Sequence, residues 1–234
     1  MMGVRKNITV LGATGSIGES TLALVREHSK KFDVYGLVAG KNYKSLAALA
    51  REFNPKIIGI NDVNKKDELN SLVGDLSCEI VAGEKACSEI ASAKVDIVVA
   101  GISGVAGLPS VLAAVTAGQT IAIANKEAII CGWHLIKRDI KKFKTSFIPV
   151  DSEHFSIWYG LKENNIKSVE KIYLTASGGP FYKTPLKKLK NIKINQALNH
   201  PNWKMGKKIS IDSATMINKI YELIEAKNIF NFPY

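Results

Sequence analysis

A chain of 234 residues that is 46% hydrophobic and 23% charged has the composition of a soluble globular protein and can bury a sizeable core in one or two domains. No run approaches the ~18 consecutive apolar residues of a membrane helix, and "MMGVRKNITVLGATGS" enters a strand pattern directly rather than a secretory signal. The net charge of +11 suits a nucleic-acid surface, a solvated lysine face or attraction of a small phosphorylated ligand, so motifs must decide.

Short apolar runs predict strands at 7–11, 33–39, 56–60, 78–82, 95–100, 120–124 and 146–150. Helical patterns such as "GESTLALVREHS" and "YKSLAALAREF" lie between several of them. This alternation predicts an α/β fold, a Rossmann-like and mostly parallel sheet covered on both faces. From about 151 the loops lengthen and lysines accumulate in "FYKTPLKKLKNIKINQALNHPNWKMGKK". The boundary is therefore set near 150, giving domains 1–150 and 151–234, with one late helix from about Asp212 to Ala226. The second segment, with few clear strands, reads as an incomplete α+β domain. Three cysteines, Cys78, Cys87 and Cys131, lack metal-type spacing and read as reduced thiols of a cytoplasmic protein.

In "ITVLGATGSIGEST", Gly12, Gly15 and Gly18 sit between a strand and a helix, where backbone N–H groups can meet a pyrophosphate. Their G-x-x-G-x-x-G spacing departs from the usual dinucleotide fingerprint. The second strand ends in Gly40, Lys41 and Asn42. A carboxylate there would bond a ribose 2′-hydroxyl, whereas lysine attracts a 2′-phosphate, so NADPH is preferred over NADH. Asn125, Lys126 and Glu127 follow a later strand, at the edge where parallel sheets bind ligands.

"PVDSEHFSIW" adds acids at the last strand's end. Side-chain alternation would project Asp151 and Glu153 to one side, and paired hard oxygens suit Mg2+ or Mn2+. Asn218, Lys219 and Glu222 share one face of the late helix, and Ser213 near its start is read as an N-cap that favours phosphate. The Ser-Gly-Gly of "LTASGGPF" can line a phosphate with amides.

Six stretches, "GATGSIGEST", "VAGKN", "ANKEAII", "PVDSEHFSI", "LTASGGPF" and "HPNWKMGKKISIDSATMINKIYELIEA", run in order from residue 12 to residue 226. Together they resemble the 1-deoxy-D-xylulose 5-phosphate reductoisomerase family. The resemblance implies a metal-dependent rearrangement of a phosphorylated pentulose, followed by reduction with NADPH to 2-C-methyl-D-erythritol 4-phosphate in non-mevalonate isoprenoid synthesis. It implies that Thr14, Gly15, Ser16, Ile17, Gly40, Lys41, Asn42, Asn125, Glu127 and Gly206 hold NADPH. Asp151, Glu153 and Glu222 would bind the metal, Ser152 and Lys126 the sugar oxygens, and Ser177, Ser213, Asn218 and Lys219 the phosphate. His200 would contact substrate and Trp203 would ride on a closing flap.

The same resemblance implies a homodimer; the chain is read as cytoplasmic, with no nucleic-acid or membrane partner. Family members continue past residue 234, so the chain is expected to be an amino-terminal portion. The alternative for it is a nucleotide-binding fragment with little turnover. Two departures stand out: Ile220 where the family has glycine after Asn-Lys, and Phe155-Ser156 where it has Asn-Ala. A non-catalytic NADP-binding sensor would not need all three acids. A semialdehyde or homoserine dehydrogenase would need neither the Asp-Ser-Glu nor the Asn-Lys-x-x-Glu arrangement.

Overall fold

A computed structural model describes residues 4–162, 166–202 and 205–232. The chain divides into two compact units, Met1–Asp151 and Ser152–Tyr234.

The first unit alternates strand and helix without interruption. Its elements are β1 (Lys6–Leu11), α1 (Ser16–Glu27), β2 (Phe32–Ala39), α2 (Tyr43–Phe53), β3 (Ile57–Ile60), α3 (Lys66–Val73), β4 (Glu79–Ala82), α4 (Ala86–Ala91), β5 (Ile97–Ala100), α5 (Leu108–Thr116), β6 (Thr120–Ile123), α6 (Lys126–Phe143) and β7 (Ser146–Pro149). All seven expected strands form, and every pairing is parallel, in the order β4-β3-β2-β1-β5-β6-β7. Four-residue strands such as Ile-Val-Val-Ala at β5 are nearly all apolar because a parallel sheet is covered on both faces. Leu22 and Val25 from α1, Leu46 and Ala50 from α2, and Leu69 and Val73 from α3 join one buried cluster with β1, β2 and β3.

Strand order fixes where a ligand can go. The chain builds outward from β1 to β4, then returns to place β5 on the other side of β1. The loops leaving β1 and β5 therefore part in opposite directions and open a crevice at the carboxyl edge. The glycine turn after β1 is packed to the limit there. A Cβ added at Gly18 would stand 2.4 Å from the Gly12 carbonyl oxygen, a backbone atom.

The described residues of the second unit form α7 (Ser152–Leu161), a 3-10 turn at Ile166–Ser168, α8 (Leu186–Leu189), α9 (Ile194–Leu198), α10 (Lys207–Ala214) and α11 (Ile217–Phe230), with a long loop before α8. No strand occurs among them, so the β part of the α+β expectation has no element here. Two sequence expectations need correction. Asp-Ser-Glu-His does not extend a strand, because α7 begins at Ser152 and Glu153 lies in its first turn, where an acid favours the helix dipole. The single helix from 212 to 226 is two, broken where Met216 takes a left-handed φ of 64°. The Thr215 hydroxyl there bonds back to the Ile211 and Asp212 carbonyls at 3.0 and 3.2 Å, closing α10 on itself.

Among the described residues no helix is long and apolar enough to cross a membrane. Gly18→Ala should destabilise the first unit by about 1–3 kcal/mol through overpacking against rigid backbone. Urea unfolding checks this, and an unmoved midpoint would refute the packing argument.

Candidate functional site

The candidate residues of the first unit all follow strands at the carboxyl edge of the sheet. Thr14, Gly15, Ser16 and Ile17 follow β1, and Gly15 is the N-cap of α1. Gly40, Lys41 and Asn42 follow β2; Lys41 is exposed, and the Asn42 side chain caps α2 by accepting from the Ser45 N–H at 3.1 Å. Asn125, Lys126 and Glu127 follow β6. Asn125 is buried and fully engaged: its oxygen accepts from the Ala128 N–H at 3.0 Å, while its amide donates to the Ile102 carbonyl and to that of Gly104 at 2.8 Å. It caps α6 and pins the loop after β5 in one stroke.

Next to it, the Lys126 ammonium lies 2.7 Å from Asp151 Oδ2, with the two side chains only 10% and 13% exposed. A low-dielectric surrounding strengthens their attraction and makes either charge costly without the other.

A cavity of about 280 Å3 opens at the same edge. Gly12, Gly15 and Gly40 line it together with Asn61, Glu84 and Cys87. This is the lower end of the ~300–1,000 Å3 typical of small-molecule sites, enough for part of a dinucleotide. Asn61, Glu84 and Cys87 escaped the sequence reading. Asn61 and Glu84 come just after β3 and β4, so the strand-end rule that singles out Gly40 to Asn42 would have found both. Burial pushes the Cys87 thiol above its usual pKa. Cys87 therefore offers the cavity a neutral sulfur wall, not a reactive thiolate.

In the second unit α7 and α11 bring Glu153 and Glu222 to one cation. The Lys219 ammonium lies 3.4 Å from Glu153 Oε1 and also donates to Glu222 Oε2 and to the Thr175 carbonyl. Asn218 donates to the other Glu222 oxygen, so the three side chains chosen for a shared helical face do meet. Glu222 is 1% exposed, and its charge is tolerable only because donors surround it. Ser152 is exposed and its hydroxyl donates to Glu153 Oε2 at 2.6 Å.

A second group forms at the Ser-Gly-Gly turn. Ser177 Oγ lies 2.9 Å from His200 Nε2 and accepts from the Gly179 N–H at 3.3 Å. Gly179 has φ 66°, and a Cβ there would stand 2.8 Å from the Ser213 carbonyl oxygen. Only glycine lets this turn reach the end of α10, which gathers Ser177, His200 and Ser213 together. Ser213 thus lies in the last turn of its helix and is not the N-cap that the sequence suggested. Gly206 holds the N-cap position of α10 instead. Lys219, expected at the phosphate, is turned onto the acids, and Ile220 is half exposed, so its side chain demands no room inside. Trp203 lies outside the described residues.

The lysines of the basic stretch at 183, 187, 188, 190 and 193 are exposed.

Comparison with known proteins covers nearly the whole chain. The family model for 1-deoxy-D-xylulose 5-phosphate reductoisomerase matches residues 8–132, and the model for that enzyme's C-terminal domain matches residues 147–230. The reductoisomerase of Pelagibacter ubique (strain HTCC1062) is 48% identical over 231 residues, covering 98% of this chain and 60% of the relative. That of Francisella tularensis subsp. novicida is 46% identical, covering 97% and 59%. Among solved structures, a reductoisomerase in complex with NADPH, fosmidomycin and magnesium superposes with TM-score 0.91 at 41% identity, covering 97% of this chain and 59% of that one. The Zymomonas mobilis enzyme in complex with NADPH gives 0.90 at 40% identity, covering 98% and 59%. The chain spans about 60% of the length of these relatives.

Lys126→Met and Asp151→Asn should each destabilise the first unit, and the double variant should lose less than their sum. A coupling of roughly 0.5–3 kcal/mol is expected for such a contact. Additive losses in chemical unfolding would show that the pair does not act as a unit.

Proposed function

This chain belongs to the 1-deoxy-D-xylulose 5-phosphate reductoisomerase family, and we propose that it serves the isomerisation and NADPH-dependent reduction of 1-deoxy-D-xylulose 5-phosphate to 2-C-methyl-D-erythritol 4-phosphate. The observation that carries this reading is the meeting of Glu153 and Glu222, distant in sequence, on one ammonium group.

Two carboxylates already drawn to a cation have the donor chemistry that a divalent ion needs, since Mg2+ and Mn2+ prefer hard oxygens. Asp151, Glu153 and Glu222 would hold it, and the bound ion would supply Lewis-acid polarisation of the substrate's oxygens. Lys126 contributes a positive donor for a sugar oxygen, kept oriented by Asp151. Ser152 offers a hydroxyl beside Glu153 for the same purpose. Ser177, His200 and Ser213, gathered at the Ser-Gly-Gly turn, would grip the phosphate end with Asn218 and Lys219. Binding at the phosphate is remote from the reacting carbons and can orient them.

NADPH, lying across the carboxyl edge of the sheet, would supply the hydride. Thr14 to Ile17 and the α1 N-terminus would take its pyrophosphate. Exposed Lys41 would meet the 2′-phosphate, with Gly40 and Asn42 beside it, and Asn125, Glu127 and Gly206 would complete the contacts. The first unit is thus the nucleotide domain and the second the metal and substrate domain. A cytoplasmic homodimer belongs to this reading, supported by the family resemblance.

With the purified full chain, NADPH oxidation should require both the pentulose phosphate and Mg2+ or Mn2+. Glu153→Gln should cut the rate by at least about 100-fold, beyond what losing a supporting residue costs. An unchanged rate in that variant would remove the metal from the reading. NADPH binding without turnover would leave the alternative, a nucleotide-binding fragment. Lys41→Asp should invert the NADPH over NADH preference measured by titration, and an unaltered ratio would reassign the 2′-phosphate contact.

A further inference from the structure

Behind Glu222 lies a buried pair that none of the roles above uses. His154 is 0% exposed and Glu225 is 2% exposed. The imidazole Nε2 lies 2.9 Å from the Glu222 carbonyl oxygen. A carbonyl oxygen only accepts, so Nε2 carries the hydrogen. The opposite nitrogen, Nδ1, lies 3.5 Å from Glu225 Oε2. The ring also stacks on Phe230, with centroids 6.3 Å apart and planes 10° apart. Glu225 follows Glu222 by three residues and lies on the same side of α11.

These contacts fasten two helices at the level of their acids. His154 directly follows Glu153 in the first turn of α7; it bonds α11 at the backbone of Glu222 and faces the Glu225 carboxylate one turn on. We propose that His154, backed by Glu225, is a positioning residue that sets the spacing between the Glu153 and Glu222 carboxylates for a divalent cation. The inference rests on the metal reading above. Its physical basis is geometric. Mg2+ demands near-ideal octahedral oxygens at about 2.0–2.1 Å, so helices free to slide by a fraction of an ångström would lose affinity. Packing alone would not need a nitrogen aimed at each of two oxygens; a phenyl ring could fill the same space and keep the stack on Phe230.

The difference between donor and filler is the test. In the full chain, Mn2+ affinity read by electron paramagnetic resonance should fall about 10–100-fold in His154→Phe, the usual loss when a group supporting metal ligands is removed. NADPH affinity should stay unchanged. His154→Gln places an amide donor near the position of Nε2 and should recover most of the Mn2+ affinity. Glu225→Gln should weaken Mn2+ about tenfold, and it tests the inference even if the Phe variant fails to fold. Parental Mn2+ affinity in His154→Phe or in Glu225→Gln would overturn the inference. So would equal losses in His154→Gln and His154→Phe, which would make the imidazole itself a ligand. Glu153→Gln separates the two readings: it should abolish Mn2+ binding, and parental binding there would remove the metal site and this inference with it.

Discussion

A carboxylate buried to 1% exposure, as Glu222 is, constrains the second unit more than any apolar contact. Among its described residues the buried hydrophobics are only Ala197 and Ala226, whereas His154, His200, Ser210, Glu222 and Glu225 are buried polar groups. Such an interior holds together only where each polar atom meets a partner, because an uncompensated buried charge costs several kcal/mol. Lys219, Asn218 and His154 meet that demand around Glu222. The contacts that hold this unit together are thus the same ones that gather its candidate residues.

The first unit follows a different logic. Its buried residues are overwhelmingly Val, Ile, Leu and Ala, contributed by seven strands and the helices that cover them. Most of its burial comes from this apolar interior, which leaves the loops after the strands able to serve ligands. Lys126 and Asp151 are the exception, a charged pair sunk into the rim of an apolar body. Asn125 beside them shows how such a rim is kept rigid, since one side chain caps a helix and ties down a neighbouring loop.

This division explains what could be read from sequence. Parallel strands covered on both faces announce themselves as apolar runs, and all seven expected strands form, with ends within two residues of expectation; α2 spans the expected Tyr43–Phe53. The strand-end rule likewise singled out Gly40 to Asn42 and Asn125 to Glu127, which follow β2 and β6. The misreadings fall where polar residues decide. Asp-Ser-Glu-His was assigned strand alternation because it follows β7, yet Ser152 and Glu153 are also good helix-starting residues, and the helix won. Ser213 was taken for a cap because nothing in the hydrophobic pattern marks the break at Met216. Glu225 was not singled out, because only burial distinguishes it, and burial is decided by tertiary packing.

Counting charge over the central trio gives the last step. Glu153 and Glu222, two acids, share the single ammonium of Lys219. Solvent screens the Lys219–Glu222 contact little, because the Glu222 side chain is 2% exposed and that of Lys219 16%. In the proposed metal-bound enzyme a divalent cation would take over both acids and leave the ammonium for a phosphate oxygen, the partner that the family resemblance implies for Lys219. The lysine that neutralises the acids and the lysine that would grip substrate are then one residue in two settings. Under the proposed reading such a site would tie metal affinity to phosphate affinity through a single charge, and His154 and Glu225 would fix the distance over which that charge must serve.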